Sequence, residues 1–343
     1  MQTLNRRDFL KLSGAALSIC LLKPPDPETQ KPQPIGLGRV TEWRIWAYGD
    51  ARPGAQKEVA LSRDDVLDIY AALDTEGLMA HNPTWFLTKY GWVYSSWMQP
   101  VKQEFNPPEQ YIPEKGFWAQ VTVPYVEMRS APNDKAYRLY RLYYSSVHQV
   151  IDRLVDDRGA VWYQLKDDEY QSVKEYVRAE GLRRIPPSEL APISPFAQDK
   201  RIEVNLKDQK LYAYEGDSLV YTTRCATGAA FNVDGIGLVD FTTPVGEHTV
   251  VRKRPSRHMH GFEDRADAYD LPGVPFCTYF TEAGVAVHGA YWHNDFGHPR
   301  SHGCVNVLAD AAQWVYRWSM PVAAYDEALL VVDKGGTPVI VSV

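Results

Sequence analysis

Ser301-His302-Gly303-Cys304-Val305-Asn306, preceded by His288-Gly289 with twelve residues between His288 and Ser301, decides how this chain reads. Seven of the nine histidines, His248, His258, His260, His288, His293, His298 and His302, fall between positions 248 and 302. Acyl transfer from an amide needs a nucleophile, a base to take its proton and donors for the oxyanion that forms. Cys304 can serve as a thiolate whose pKa a nearby imidazole lowers, and Gly303 lets the backbone approach closely enough for amide N–H groups to hold an oxyanion. The pattern implies a cysteine acyl-enzyme that uses no cofactor. His288, His293, His298, His302 and Cys304 are also zinc-competent. Their spacing argues against a metal, because no His-x-x-x-His pair falls on a helix and Phe296-Gly297-His298-Pro299 is a loop with no fixed ligand face.

The same residues resemble the active-site signature of the L,D-transpeptidases, the YkuD-type catalytic domain of bacterial cell-wall crosslinking. Supporting segments follow in order: Ala226-Thr227-Gly228, Thr243-Pro244-Val245-Gly246, and Leu271-Pro272-Gly273-Val274-Pro275 ahead of Tyr279-Phe280. The resemblance implies that Cys304 attacks a stem tetrapeptide, releases the terminal D-Ala and holds the remainder as a thioester, which an amine of a neighbouring stem then takes. It implies His288 as base, its ring held by a backbone carbonyl near Gly289, and an oxyanion hole from the Gly303 and Cys304 amides. His288 is preferred to His302 because neighbours on a tight turn point apart, so His302 falls to orienting substrate or supporting the site. Ser301, Asn306, His258 and Tyr279 are expected at the substrate, and carbapenem-type inhibitors are expected to acylate Cys304. A carboxypeptidase that passes the acyl group to water, or a wall-binding protein without turnover, are the rival readings.

Outward from this motif, residues 197–343 read as mostly β. Arg201–Leu206, Lys210–Tyr214 and Leu219–Tyr221 alternate between turn-formers, a helix is expected near Asp310–Trp318, and Pro338–Val341 closes the chain as a strand. The expected fold is an antiparallel β-sandwich or barrel with one short helix. Lys253–Pro275, which carries His258, is a candidate lid over the cleft. Cys225 and Cys277 are expected as buried thiols, with a bridge between them as the alternative.

A Pro-rich linker, 185–196, separates this part from an aromatic region, 40–184, that holds seven of the ten tryptophans. An amphipathic helix is predicted over Ser62–Leu73, from Val66, Ile69, Tyr70 and Leu73 on one face, followed by strands at 117–123, 147–151 and 160–165. The region loosely resembles bacterial SH3-like modules, small barrels that accompany cell-wall enzymes. The preceding 23–39 is a proline-rich tether.

Residues 1–22 pair Arg6-Arg7 and Phe9-Leu10-Lys11 with an uncharged apolar stretch, Leu12–Leu22, which resembles a twin-arginine export signal and places the protein in the periplasm or cell wall. Bulky Ile19 disfavours lipidation at Cys20. No run of 18 apolar residues exists, so no standard membrane helix is expected. A net charge of −6 lacks the basic footprint of nucleic-acid binding. The partners implied are peptidoglycan stem peptides as donor and acceptor.

Overall fold

Alternation builds nearly every element. In the strand Lys200–Asn205, Ile202 and Val204 turn inward while Arg201 and Glu203 turn toward solvent, the signature of a sheet with one buried face. The computed structural model describes residues 33–262, 265 and 268–343. The expected export signal, most of the tether and Cys20 lie outside the described residues. From Pro34 to Val343 the chain forms one compact unit. No helix among the described residues is long and apolar enough to cross a membrane.

The chain is mostly β. Two five-stranded sheets carry the C-terminal part. One runs Ser218–Arg224, Lys210–Glu215, Lys200–Asn205, Pro338–Ser342, Gly246–Thr249, and the other Val305–Val307, Ala286–Gly289, Tyr269–Tyr279, Arg252–Gly261, Leu330–Val331. They are not purely antiparallel: Lys200–Asn205 pairs parallel with Pro338–Ser342, and Ala286–Gly289 parallel with Val305–Val307. The expected helix is present as Ala309–Trp318, with Asp310 in its first turn and Arg317 in its last, both favourable to the helix dipole. Its buried face, Ala311, Ala312, Val315, Tyr316 and Trp318, joins Ile202, Val204, Phe276, Val287, Val305 and Val339 in one core.

The N-terminal part forms a three-stranded sheet and a five-stranded sheet between Gly36 and Val101, then a seven-stranded sheet between Phe117 and Arg184. None of these sheets is closed, so the barrels expected from sequence are open sheets with two edges. The helix expected over Ser62–Leu73 is also absent. Lys57–Ser62, Val66–Ile69 and Ala71–Met79 are strands, and Asp64 between the first two has φ +73°, which no α-helix accommodates. Leu67 and Ile69 are the buried positions there, a period of two, and this strand pairs with Gly36–Val40.

The seven-stranded sheet shares its packing with the C-terminal part. Trp118 and Val147, with Ile185 and Leu190 from the Pro-rich stretch, belong to the same core as the helix Ala309–Trp318, and the Trp118 indole donates to the Tyr325 carbonyl at 2.8 Å. The stretch 185–196 is thus docked along the C-terminal part, with Arg317 Nε donating to the Ala191 carbonyl.

Candidate active site

Parallel pairing of Ala286–Gly289 with Val305–Val307 sets Val287 beside Val305 and His288 beside Asn306. Side chains alternate along each strand, so Val287, Val305 and Val307 enter the core while His288 and Asn306 share the opposite face. Cys304, one residue before the strand, continues that register beside Ala286 and joins them. His288, Cys304, Asn306, Ser301 and His302 line one cleft of about 900 Å³.

The His288 ring is buried, with Nδ1 3.0 Å from the Gly289 carbonyl. That carbonyl can only accept, so Nδ1 carries the proton and Nε2 is left as the basic nitrogen. Burial lowers the His288 pKa to about 4, against the raising effect of the Gly289 carbonyl. Burial likewise pushes the Cys304 thiol up to about 11 despite a lowering backbone hydrogen bond from Ala286. The resting pair is therefore neutral thiol and neutral imidazole. Burial thus disfavours both the thiolate and the imidazolium, against the lowering that a nearby imidazole would give the thiol.

The turn that carries the thiol is tied from several sides. Gly303 has φ +115°, a conformation that favours glycine. Its N–H donates to Ser301 Oγ at 3.1 Å, its carbonyl accepts from Thr243 Oγ1 at 2.7 Å, and Ser301 Oγ donates to the Cys304 carbonyl. An oxyanion hole built on the Gly303 amide would have to share the bond to Ser301. Thr243 Oγ1 also accepts from Gly228 N–H, and any Cβ at Gly228 would collide with the Phe241 carbonyl and the Gly303 backbone. Ala-Thr-Gly and Thr-Pro-x-Gly thus act as buttresses of the Cys304 turn.

His293 does more than occupy a loop. It is buried, its Nδ1 accepts from Asp295 N–H at 3.1 Å, and its Nε2 lies 3.1 Å from the Asn306 amide. Burial, aided by the charge of Arg300, lowers its pKa to about 3, so the ring is neutral and Nε2 carries the proton. Nδ2 of Asn306 is the amide atom placed at that Nε2; two donors cannot pair, so we assign the amide the reversed way, with its oxygen on Nε2–H and its NH2 turned away as a donor. The other arm of the Asn306 amide is buried without a hydrogen-bond partner.

His302 is packed among Phe231, Phe241, Phe262 and Tyr269, with ring centroids 4.7–5.5 Å away. It gathers the Ala230–Asp240 hairpin and the Arg252–Tyr279 hairpin over the cleft. The latter is the segment expected as a lid, and its Met259, Tyr269, Asp270 and Leu271 line the cleft. His258 and Tyr279 do not. His258 is buried between Asp167 and Asp270, at 2.6 and 2.5 Å, and Tyr279 packs inside with Arg252 over its ring. Neither lines the cleft: two carboxylates hold His258, and Tyr279 is buried in a cluster with Met259, Leu271 and Cys304, so both are corrected from substrate contacts to structural residues. His298 stacks on His81 at 5.1 Å. Among the described residues no three His, Cys, Asp or Glu side chains converge to hold a metal ion. Cys225 and Cys277 are buried free thiols.

Sequence reading missed one wall of the cleft. Thr41, Glu42 and Arg63 come from the N-terminal sheets. Those sheets also grip the loop between His288 and Ser301: Arg39 donates to the Tyr291 carbonyl at 2.6 Å, His81 meets Asp295 at 2.6 Å, and Arg300 pairs with Glu42. No local signal marks such contacts, which join residues more than 200 positions apart.

Residues 199–341 match the family model of the YkuD L,D-transpeptidase catalytic domain. Similar solved structures include a mutant of the Enterococcus faecium L,D-transpeptidase, 22% identical over 43% of this chain and 51% of that one, with a TM-score of 0.32. An L,D-transpeptidase from Xylanimonas cellulosilytica is 26% identical over 48% and 72%, with a TM-score of 0.31. The catalytic domain of the E. faecium enzyme acylated by ertapenem is 23% identical over 42% and 96%, with a TM-score of 0.31. The chain spans about half the length of the E. faecium mutant it matches. No curated protein matches the sequence significantly.

Proposed function

We propose that this protein is an exported peptidoglycan L,D-transpeptidase that crosslinks stem peptides through a thioester on Cys304. The observation that carries this reading is the shared face of Cys304 and His288 in one cleft, with the His288 tautomer set by the Gly289 carbonyl. As Cys304 Sγ bonds to the donor carbonyl, its proton passes to His288 Nε2. Collapse of the tetrahedral intermediate breaks the C–N bond to D-Ala, whose amine takes that proton back. The acceptor amine then attacks the thioester, gives a proton to His288 and expels Cys304, which is reprotonated. Because both groups rest neutral, charge appears only as the bond forms, where fixed donors stabilise it most. The Asn306 NH2 and the Cys304 amide are suited to that role.

Export by the twin-arginine-like leader, residence in the periplasm or wall, and acylation of Cys304 by carbapenems belong to the same proposal. So does a wall-positioning role for the first region. A groove of about 460 Å³ on its seven-stranded sheet, lined by Tyr125, Trp162 and Arg178, supports that role.

The test is incubation of the full chain with a disaccharide tetrapeptide and measurement of product mass. A crosslinked dimer lacking one D-Ala is the expected result. Tripeptide alone would instead show a carboxypeptidase, and unchanged substrate a binding protein.

A further inference from the structure

We propose that Arg63, contributed by the N-terminal sheets, is a specificity-determining residue of the cleft that binds a carboxylate of the peptide substrate. This rests on the transpeptidase reading above only in taking a stem peptide as the ligand.

Five residues of fixed charge line the cleft: Glu42, Arg63, Asp234, Asp270 and Arg300. Arg300 is neutralised by Glu42 and reaches Asp295 at 3.4 Å. Asp270 is committed to His258 and to Tyr140, whose hydroxyl donates to it at 2.7 Å. Arg63 is exposed, and among the described residues its guanidinium has no ion-pair or hydrogen-bond partner. Among the described lining residues it is thus the cation open to an incoming anion.

Its position is nonetheless fixed. Arg63 N–H donates to the Trp43 carbonyl at 3.2 Å, and the next residue, Asp64, is held in the left-handed region with its N–H on the Val40 carbonyl at 3.0 Å. The Asp64 carboxylate accepts from Arg39 at 3.0 Å, Arg141 at 2.7 Å and Tyr143 at 3.1 Å. Two arginines and a tyrosine therefore lock the turn that presents Arg63. A guanidinium is a planar fork matched to a carboxylate, and a locked backbone lowers the entropy lost on binding. Among the described residues no hydrogen bond or ion pair occupies the side chain, which leaves it available to a ligand.

The experiment uses the full chain as wild type, Arg63→Ala, Arg63→Lys and Arg63→Glu. Steady-state kinetics on the disaccharide tetrapeptide are compared with those on two amidated forms, one at the terminal D-Ala carboxylate and one at the glutamyl α-carboxylate. Arg63→Ala is expected to lower kcat/KM about tenfold, chiefly through KM, with Arg63→Lys intermediate and Arg63→Glu worse. One amidated substrate should impose a similar loss on wild type and none on Arg63→Ala, which identifies the carboxylate. Equal kinetics for wild type and Arg63→Ala, or amidation losses that persist in Arg63→Ala, would overturn the assignment. Tetrapeptide binding to Cys304→Ala and to Cys304→Ala/Arg63→Ala, measured by calorimetry, separates the two claims. If wild type turns nothing over yet binding still depends on Arg63, the transpeptidase reading falls and the anion site stands. Absence of Arg63-dependent binding removes the site.

Discussion

His288 Nδ1 lies 3.0 Å from the carbonyl of its own neighbour, Gly289, so a backbone oxygen takes the orienting place that a carboxylate fills in many triads. No negative charge is supplied to favour imidazolium, and burial lowers the His288 pKa to about 4. Protonated His288 cannot accept the thiol proton. The acid limb of kcat/KM for acylation should therefore fall near pH 4, well below the ordinary imidazole value of about 6.5. A limb at 6 or above, read from the pH dependence of acyl-enzyme formation by intact mass, would falsify the neutral-pair assignment. His288→Ala should slow acylation by about 10²- to 10⁴-fold at neutral pH.

Cys304 is half-exposed at the cleft, while Cys225 and Cys277 are fully buried, with burial pushing Cys225 up to about 12 and Cys277 well above its ordinary value. Iodoacetamide at pH 8 should modify one thiol among the described residues of the native protein, and Cys304→Ala should remove it. Even with a pKa near 11, Cys304 keeps an access advantage that the other two lack. Peptide mapping that finds Cys225 or Cys277 labelled at a comparable rate contradicts this.

Asn306 stands beside His288 in register, and His293 orients its amide. Asn306→Ala is expected to lower kcat on the order of 10²-fold, the usual effect of losing one oxyanion donor. The proposed role is electrostatic, so Asn306→Asp should be no better, although its shape is nearly the same. Recovery of wild-type kcat in Asn306→Asp would show that only shape matters there.

Four strands of the C-terminal part were legible, best where burial alternates with a period of two, as in Ile202 and Val204. The motif around Cys304 was legible because its chemistry is local. Failures came where period and burial conflict with local pattern. Val66, Ile69, Tyr70 and Leu73 fit a helical face, yet Leu67 and Ile69 are the buried pair, and pairing with Gly36–Val40 decides the outcome. His258 looked like a lid contact because it sits within the hairpin that covers the cleft. Its partner, Asp167, lies on another sheet's loop, where no sequence spacing reveals it. Arg63 was invisible for the same reason.

The shared core makes the first region a structural part of the catalytic unit. A fragment of residues 197–343 would lose Trp118, Val147, Ile185 and Leu190 from its core. Each such side chain contributes about 1.5–3 kcal/mol, against a total stability of roughly 5–15 kcal/mol for a domain. The fragment should lack a cooperative thermal transition and near-ultraviolet dichroism. In the full chain, Trp118→Ala should cost about 3–5 kcal/mol by denaturant melts. A fragment that melts sharply at the full chain's temperature would refute the coupling.

His258 closes the junction between the cleft hairpin and the loop 167–170. Its Nδ1 meets Asp167, its Nε2 meets Asp270, and its backbone N–H donates to Asp168 at 2.8 Å, while Arg254 and Arg257 also bind Asp168. Burial opposes its charge, but the hydrogen bonds and charges of Asp167 and Asp270 win, and its pKa is raised. A raised folded pKa gives stability that is full below the unfolded value of about 6.5 and lost as pH rises through the folded value. Two neighbours titrate as well. Burial and Asp167 raise Glu175 to about 8, which also removes stability as pH rises from its unfolded value, whereas burial lowers His148 to about 3, which destabilises on the acid side. The difference in melting temperature between wild type and His258→Gln cancels most of these shared contributions. It should be largest near pH 6 and shrink steadily toward pH 9. The same trend should persist in a Glu175→Gln background, which isolates the imidazole. Because Tyr269 and Asp270 line the cleft from this hairpin, His258→Gln should also raise KM at neutral pH while leaving labelling of Cys304 intact. A pH-independent difference in melting temperature would mean that His258 acts only by packing.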